Sequence, residues 1–123
     1  MSVDIECPDE LRPAAEAAAA ASGLKEGHLC VELVDTVRIT GLNRIHRDKN
    51  EPTDVLSFPI DGRERATGPR ELGDVMICAE RSDDLEQAVV HGVLHLAGFD
   101  HERDDGEMLA LEQRILARLR SGD

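Results

Sequence analysis

At 123 residues the chain has room for one hydrophobic core and reads as a single domain over 1–123, with no second catalytic domain. A formal net charge of −12 argues against a generic nucleic-acid-binding protein, and with no Trp, no Tyr and only Phe58 and Phe99 the platforms that stack single-stranded bases are nearly absent. No apolar run approaches membrane-spanning length, and Cys7, Cys30 and Cys78 form no CxxC, a pattern that suits buried thiols in a reducing, cytoplasmic compartment rather than a disulfide frame.

Taken in chain order, residues 3–7 alternate weakly and read as an edge strand. A helix follows over 11–22, with Pro13 tolerable in its first turn and Gly23 where a C-terminal stop belongs. Residues 30–34 read as a strand. A short helix over 37–46 carries the stripe Ile39, Leu42 and Ile45, which Gly41 weakens. Residues 46–53 are a polar loop, 55–58 a strand closed by Pro59, 61–71 a Gly- and charge-rich loop, and 74–78 a further strand. A helix opens near Asp83, with Glu86 in the capping-box position, and from Leu85 to Ala97 it is apolar on nearly every side, as a buried helix is. The last helix starts near Asp104 with the stripe Met108, Leu111, Ile115 and Leu119. The pattern predicts an α+β domain of about four strands and four or more helices.

The charge is uneven. Residues 36–70 hold seven basic residues (Arg38, Arg44, Arg47, Lys49, Arg63, Arg65 and Arg70) against five acids, so a local basic surface can persist on an acidic body.

The buried helix carries the string His91-Gly92-Val93-Leu94-His95-Leu96-Ala97-Gly98-Phe99-Asp100-His101. His91 and His95 are one turn apart and leave the same face. Gly98 can stop the helix in a left-handed turn and fold His101 back toward them. Two imidazoles on one face of an apolar helix would otherwise be two buried polar rings in need of partners, whereas one shared metal satisfies all three. Three histidines with no fourth protein ligand nearby predict a catalytic site for one Zn²⁺ with an open position; nickel, copper or iron could also fit the donor set. Asp54, Asp74 and Asp100 are candidates to accept the distal ring N–H groups. The spacing matches the metzincin protease pattern except that Gly92 stands where the glutamate base belongs. That leaves room beside the metal and makes a metallopeptidase the weaker alternative.

The string HGVLHLAGFDH closely resembles the signature of the YbeY family of bacterial rRNA-processing endoribonucleases. The stretch 42–59 resembles that family's LN…R…PTDVLSFP segment, and Leu72-Gly73-Asp74-Val75-Met76-Ile77 resembles its LGD-x-x-I strand. The resemblance covers the chain from about residue 31 onward. It implies a zincin-like fold with a roughly four-stranded mixed sheet and a metal-bearing buried helix. It also implies one zinc on His91, His95 and His101, and an important arginine that falls on Arg47. The family usually has tyrosine before that arginine, where this chain has His46, and a longer segment between Cys78 and His91. The implied function is zinc-dependent cleavage of RNA phosphodiesters in 16S-type rRNA processing, with rRNA as substrate, ribosomal proteins or the small subunit as possible partners, and no membrane. The residues alone leave open an arginine paired with Asp48 or Asp54, and a non-catalytic ribosome-associated protein whose zinc is closed by a fourth ligand such as Cys78.

Overall fold

The computed structural model describes residues 3–24, 26–59, 71–100 and 103–121. Four strands form one sheet: β1 (Val3–Glu6), β2 (Gly27–Val34), β3 (Val55–Pro59) and β4 (Glu71–Cys78), in the order β1-β2-β4-β3. β1 and β4 run parallel to β2, and β3 runs antiparallel to β4. Parallel neighbours need crossovers. Helix α1 (Arg12–Ala21) makes the first; helix α2 (Thr36–Arg47) together with β3 makes the second. Helices α3 (Leu85–Leu96) and α4 (Glu107–Arg120) complete the α+β arrangement.

Strand alternation splits the core in two. Val75 and Ile77 of β4 face a large cluster with Leu29 and Val31 of β2, the alanines Ala14, Ala15 and Ala18 of α1, Val89, Val90, Val93 and Leu94 of α3, and Met108 and Ile115 of α4. Cys78, one residue on, faces the opposite side and packs with Leu56 and Ile39 under α2. Helix α3 is the most enclosed, as its all-round apolarity predicts, with six residues from Ala88 to Leu94 buried.

Every predicted element is present, with shifted ends. β2 begins at Gly27 and β4 at Glu71, earlier than their apolar runs, because pairing recruits them: Gly27 faces Val3, and Glu71 faces His28. Helix α2 extends through Arg47 despite Gly41, capped by Asp35, whose Oδ1 accepts from Arg38 N at 2.8 Å. The cap of α3 is Asp84, not Asp83, and Glu86 binds Arg120 instead of closing a capping box. Helix α4 starts at Glu107, three residues later than the sequence suggests. Asp104 stands ahead of it and accepts from Gly106 N and Met108 N at 2.9 and 3.0 Å. Of the loop predicted over 61–71, residues 61–70 lie outside the described residues, and Glu71 belongs to β4. Cys78 is fully buried, while Cys7 and Cys30 are half-buried with thiols pushed up by burial. Among the described residues no helix is long and apolar enough to cross a membrane.

Candidate active site

The end of α3 carries a helix-stop motif that builds one wall of the site. Gly98 takes φ +103°, Gly98 N donates to His95 O at 3.0 Å, and Phe99 N donates to Leu94 O at 3.1 Å. These are the paired bonds of a Schellman stop, with glycine at its left-handed position. The turn then brings the Phe99 carbonyl back onto His95, 3.0 Å from Nδ1. A carbonyl oxygen only accepts, so His95 Nδ1 carries the proton and, in the neutral ring, Nε2 carries the lone pair.

His91 reaches the same state through a different partner. Its Nδ1 lies 2.7 Å from Glu112 Oε1, and Gln87 Nε2 donates to Glu112 Oε2 at 3.0 Å. The Glu112 side chain is only 5% exposed and that of His91 17%. A carboxylate accepting at both oxygens fixes the His91 ring as the Nδ1–H form. The two rings stand edge to face with centroids 4.8 Å apart. Each therefore holds its distal nitrogen on a fixed acceptor, the arrangement that orients metal-ligating imidazoles. Among the described residues no three His, Cys, Asp or Glu side chains converge as a metal set. The predicted third ligand, His101, lies outside the described residues.

Gly92 sits between these histidines but faces the sheet. A Cβ there would come within 2.5 Å of Val75 Cγ1 and 3.2 Å of Val55 Cγ2. Its role is close helix–sheet approach, not room beside a metal, and a glutamate base cannot be placed there. Ser57 Oγ donates to Gly92 O at 2.9 Å and ties β3 to α3 at this point.

The rings open onto a cleft of about 560 Å³ lined by Arg47, Thr53, Asp54, Ser57, His91, His95, Phe99 and Asp100, among others. It is built where the end of α2, the entry to β3 and the end of α3 meet. The predicted Arg47 is thus brought to the two described histidines. Neither Asp48 nor Asp54 forms an ion pair with it. Its neighbour His46 points elsewhere and lies against Phe58, ring centroids 4.5 Å apart. This is an aromatic packing role that histidine can fill in place of tyrosine. Cys78 lies under α2, with its Sγ 3.6 Å from Thr36 Oγ1, and does not line the cleft, so it is no fourth ligand. Asp54 and Asp100 line the cleft, but the ring Nδ1 atoms are held by Glu112 and Phe99. A larger groove of about 860 Å³ between α1 and α4 is lined by residues such as Ala17, Leu111 and Arg118 and offers no histidine, cysteine or carboxylate.

Sequence reasoning missed Glu112 and the Phe99 carbonyl. Glu112 had a signal: it falls within the buried stripe of α4, beside Met108, Ile115 and Leu116, where a carboxylate needs a partner. The carbonyl had none, because backbone acceptors have no residue identity.

The chain is similar to known proteins over most of its length. Residues 3–120 match the family model described as Endoribonuclease YbeY. A protein of that name from Azorhizobium caulinodans is 44% identical over 123 aligned positions, covering 86% of this chain and 77% of its own. One from Aquifex aeolicus is 36% identical over 126, covering 90% and 83%. The solution structure of a Thermotoga maritima protein is similar with a TM-score of 0.57 and 25% identity, covering 98% of this chain and 90% of that one.

Proposed function

The chain belongs to the YbeY endoribonuclease family, and from that premise we propose that it is a zinc-dependent endoribonuclease. In this reading it is one zincin-like domain, cytoplasmic, that cleaves phosphodiester bonds of rRNA of the 16S type during ribosome maturation, with ribosomal proteins or the small subunit as partners. The observation that carries the reading is the cleft itself, where Arg47, His91 and His95 meet.

The donor set suits zinc. His91 and His95 are held as Nδ1–H rings on one helix face, so both would bind through Nε2, with His101 as the third ligand. A zinc ion held there would supply Lewis-acid stabilisation of charge developing on a phosphoryl oxygen.

The chain's own groups supply the rest. Arg47 offers a planar fork of donors that suits two non-bridging phosphate oxygens, and its charge has no carboxylate partner among the described residues to displace first. Glu112 keeps the proton on His91 Nδ1, and the Phe99 carbonyl keeps it on His95 Nδ1. Ser57 holds β3 against α3 so that both cleft walls keep their spacing.

The test is a paired assay of bound zinc and of RNA cleavage, with and without chelator, for the wild type, Arg47→Ala and His95→Ala. The expected result is zinc in the wild type, chelator-sensitive cleavage, retained zinc with weak cleavage in Arg47→Ala, and loss of both in His95→Ala. Cleavage that persists in metal-free His95→Ala would overturn the reading. The RNA ends report the nucleophile: a 2′,3′-cyclic phosphate rules out direct attack by water, and a 5′-phosphate with a 3′-hydroxyl rules out attack by the RNA 2′-hydroxyl.

A further inference from the structure

Arg38, Gly41, Arg44 and Arg47 are spaced three apart along α2. Residues three apart on a helix are offset by about 60°, so this row is a ridge that winds about half a turn around the outer side of α2 from Arg38 to Arg47. This ridge packs against nothing in the chain at its middle: a Cβ added to Gly41 would meet no atom within 4 Å. The three arginines are exposed. Among the described residues none of them is in an ion pair, in a chain with 26 Asp and Glu. The ridge ends at Arg47, which lines the candidate cleft.

Arg81, Arg114 and Arg118 are likewise in no ion pair among the described residues, so what distinguishes this row is its alignment on one helix and its end in the cleft. A glycine in mid-helix costs about 1 kcal/mol of helix propensity relative to alanine, and here no contact inside the protein calls for it. Its open backbone admits a close-approaching ligand beside the arginine row.

Resting on the endoribonuclease reading, we propose that the Arg38–Gly41–Arg44–Arg47 ridge of α2 is the track along which the single-stranded RNA leaves the cleft, with Arg44 and then Arg38 contacting phosphates progressively farther from the scissile bond and Gly41 forming a notch that lets the strand lie close. The near absence of aromatic residues fits this mode, since the strand is held by phosphate contacts rather than by stacked bases. Val37 and Ile45 are exposed on the same helix, at 82% and 70%. They would suit a protein partner, but a row of cations that ends in the cleft favours the nucleic acid.

Steady-state cleavage of a single-stranded RNA oligonucleotide and of a dinucleoside monophosphate, each across a salt series, tests the track. The variants are Arg44→Gln, Arg38→Gln and Gly41→Gln, with Arg118→Gln on α4 as the charge-matched control. Arg44→Gln should lower kcat/KM on the oligonucleotide roughly tenfold and reduce the slope of its salt dependence by about 0.7–1. Its effect on the dinucleotide should be far smaller, and Arg38→Gln should show a weaker version of the same pattern. Gly41→Gln should raise the thermal unfolding midpoint, because a better helix former replaces glycine without a clash, and yet weaken cleavage of the oligonucleotide. Arg118→Gln should match the wild type.

The proposal is overturned if the wild type cleaves the oligonucleotide while Arg44→Gln keeps its salt slope and kcat/KM, an outcome that assigns the face to a protein partner. It is also overturned if Gly41→Gln raises the midpoint with kinetics unmoved. A wild type that cleaves neither RNA removes the endoribonuclease reading and the track together.

Discussion

His91 and His95 look equivalent in sequence but are held by chemically different acceptors. His95 depends on a backbone carbonyl that no substitution of Phe99 removes, whereas His91 depends on the Glu112 side chain. Glu112→Leu, which suits the buried site sterically, should therefore lower zinc affinity about 10–100-fold with the chain still folded, as read by competition with a chromophoric chelator. Affinity equal to the wild type's would remove Glu112 from the site. Arg47 is expected to act on charge that develops during reaction, so Arg47→Ala should reduce kcat by about 10²–10³ with zinc content intact, and Arg47→Lys should recover only part because it loses the two-pronged fork. Gly92 is set by contact distance. Gly92→Ala should destabilise by about 1–3 kcal/mol in denaturant unfolding, because the new methyl meets Val75 Cγ1 at 2.5 Å; a neutral effect would mean that α3 shifts freely on the sheet. All five of these residues are visible in the sequence, but only His91, His95 and Arg47 announce their chemistry by the motifs they sit in. Glu112 reads as one more charge until its helix is docked.

Helix α3 places the site because both of its ends are tied. Its C-terminus is stopped by Gly98, and its N-terminus is held by Asp84, which caps Gln87 N at 3.2 Å and accepts Arg120 Nη2 at 2.6 Å on both oxygens. The Arg120 hydrogen bonds hold the Asp84 carboxyl below its ordinary range. A carboxyl so depressed contributes stability that is complete above the ordinary aspartate value near ~3.9 and is lost as pH falls through its lower folded value. Asn caps about as well as Asp, so Asp84→Asn isolates the charge. Its unfolding midpoint should lie slightly below the wild type's near neutral pH, by a small amount for so exposed a pair, and the gap should close in acid. A gap that widens in acid would contradict this assignment. At the end of α2, Asn43 is buried and donates from Nδ2 to Glu51 O at 2.9 Å, while Asp48 turns with φ 58°. The clamp directs the chain from Arg47 into the β3 wall of the cleft. The existence and type of these elements follow from periodicity and turn residues. Their ends do not, because β2 and β4 are lengthened by pairing with neighbours and α3 chose between two adjacent aspartates by which one could also meet Arg120.

At the scale of the molecule, the large apolar cluster draws on every strand and on α1, α3 and α4, which predicts that the chain folds without a metal in the cleft. Chelation should leave the far-ultraviolet circular dichroism in place at room temperature while lowering the thermal midpoint, by an amount that follows free zinc and reaches about 4 kcal/mol at a thousandfold excess over Kd. A chain that unfolds on chelation would make the metal structural instead. The α+β class, the buried helix and the histidine pair facing one way were legible in the sequence alone, because they rest on local periodicity, and periodicity survives without knowledge of partners. Three things were decided only by the tertiary structure. One was that Arg47, more than forty residues from His91, shares its cleft. Another was that the ring of His91 is held by Glu112 from another helix. The third was that Gly92 is a packing glycine rather than a vacancy beside a metal. Each depends on how α2, α3 and α4 dock onto the two faces of one sheet, and that docking is set by the summed packing of side chains distant in sequence, which no local pattern encodes.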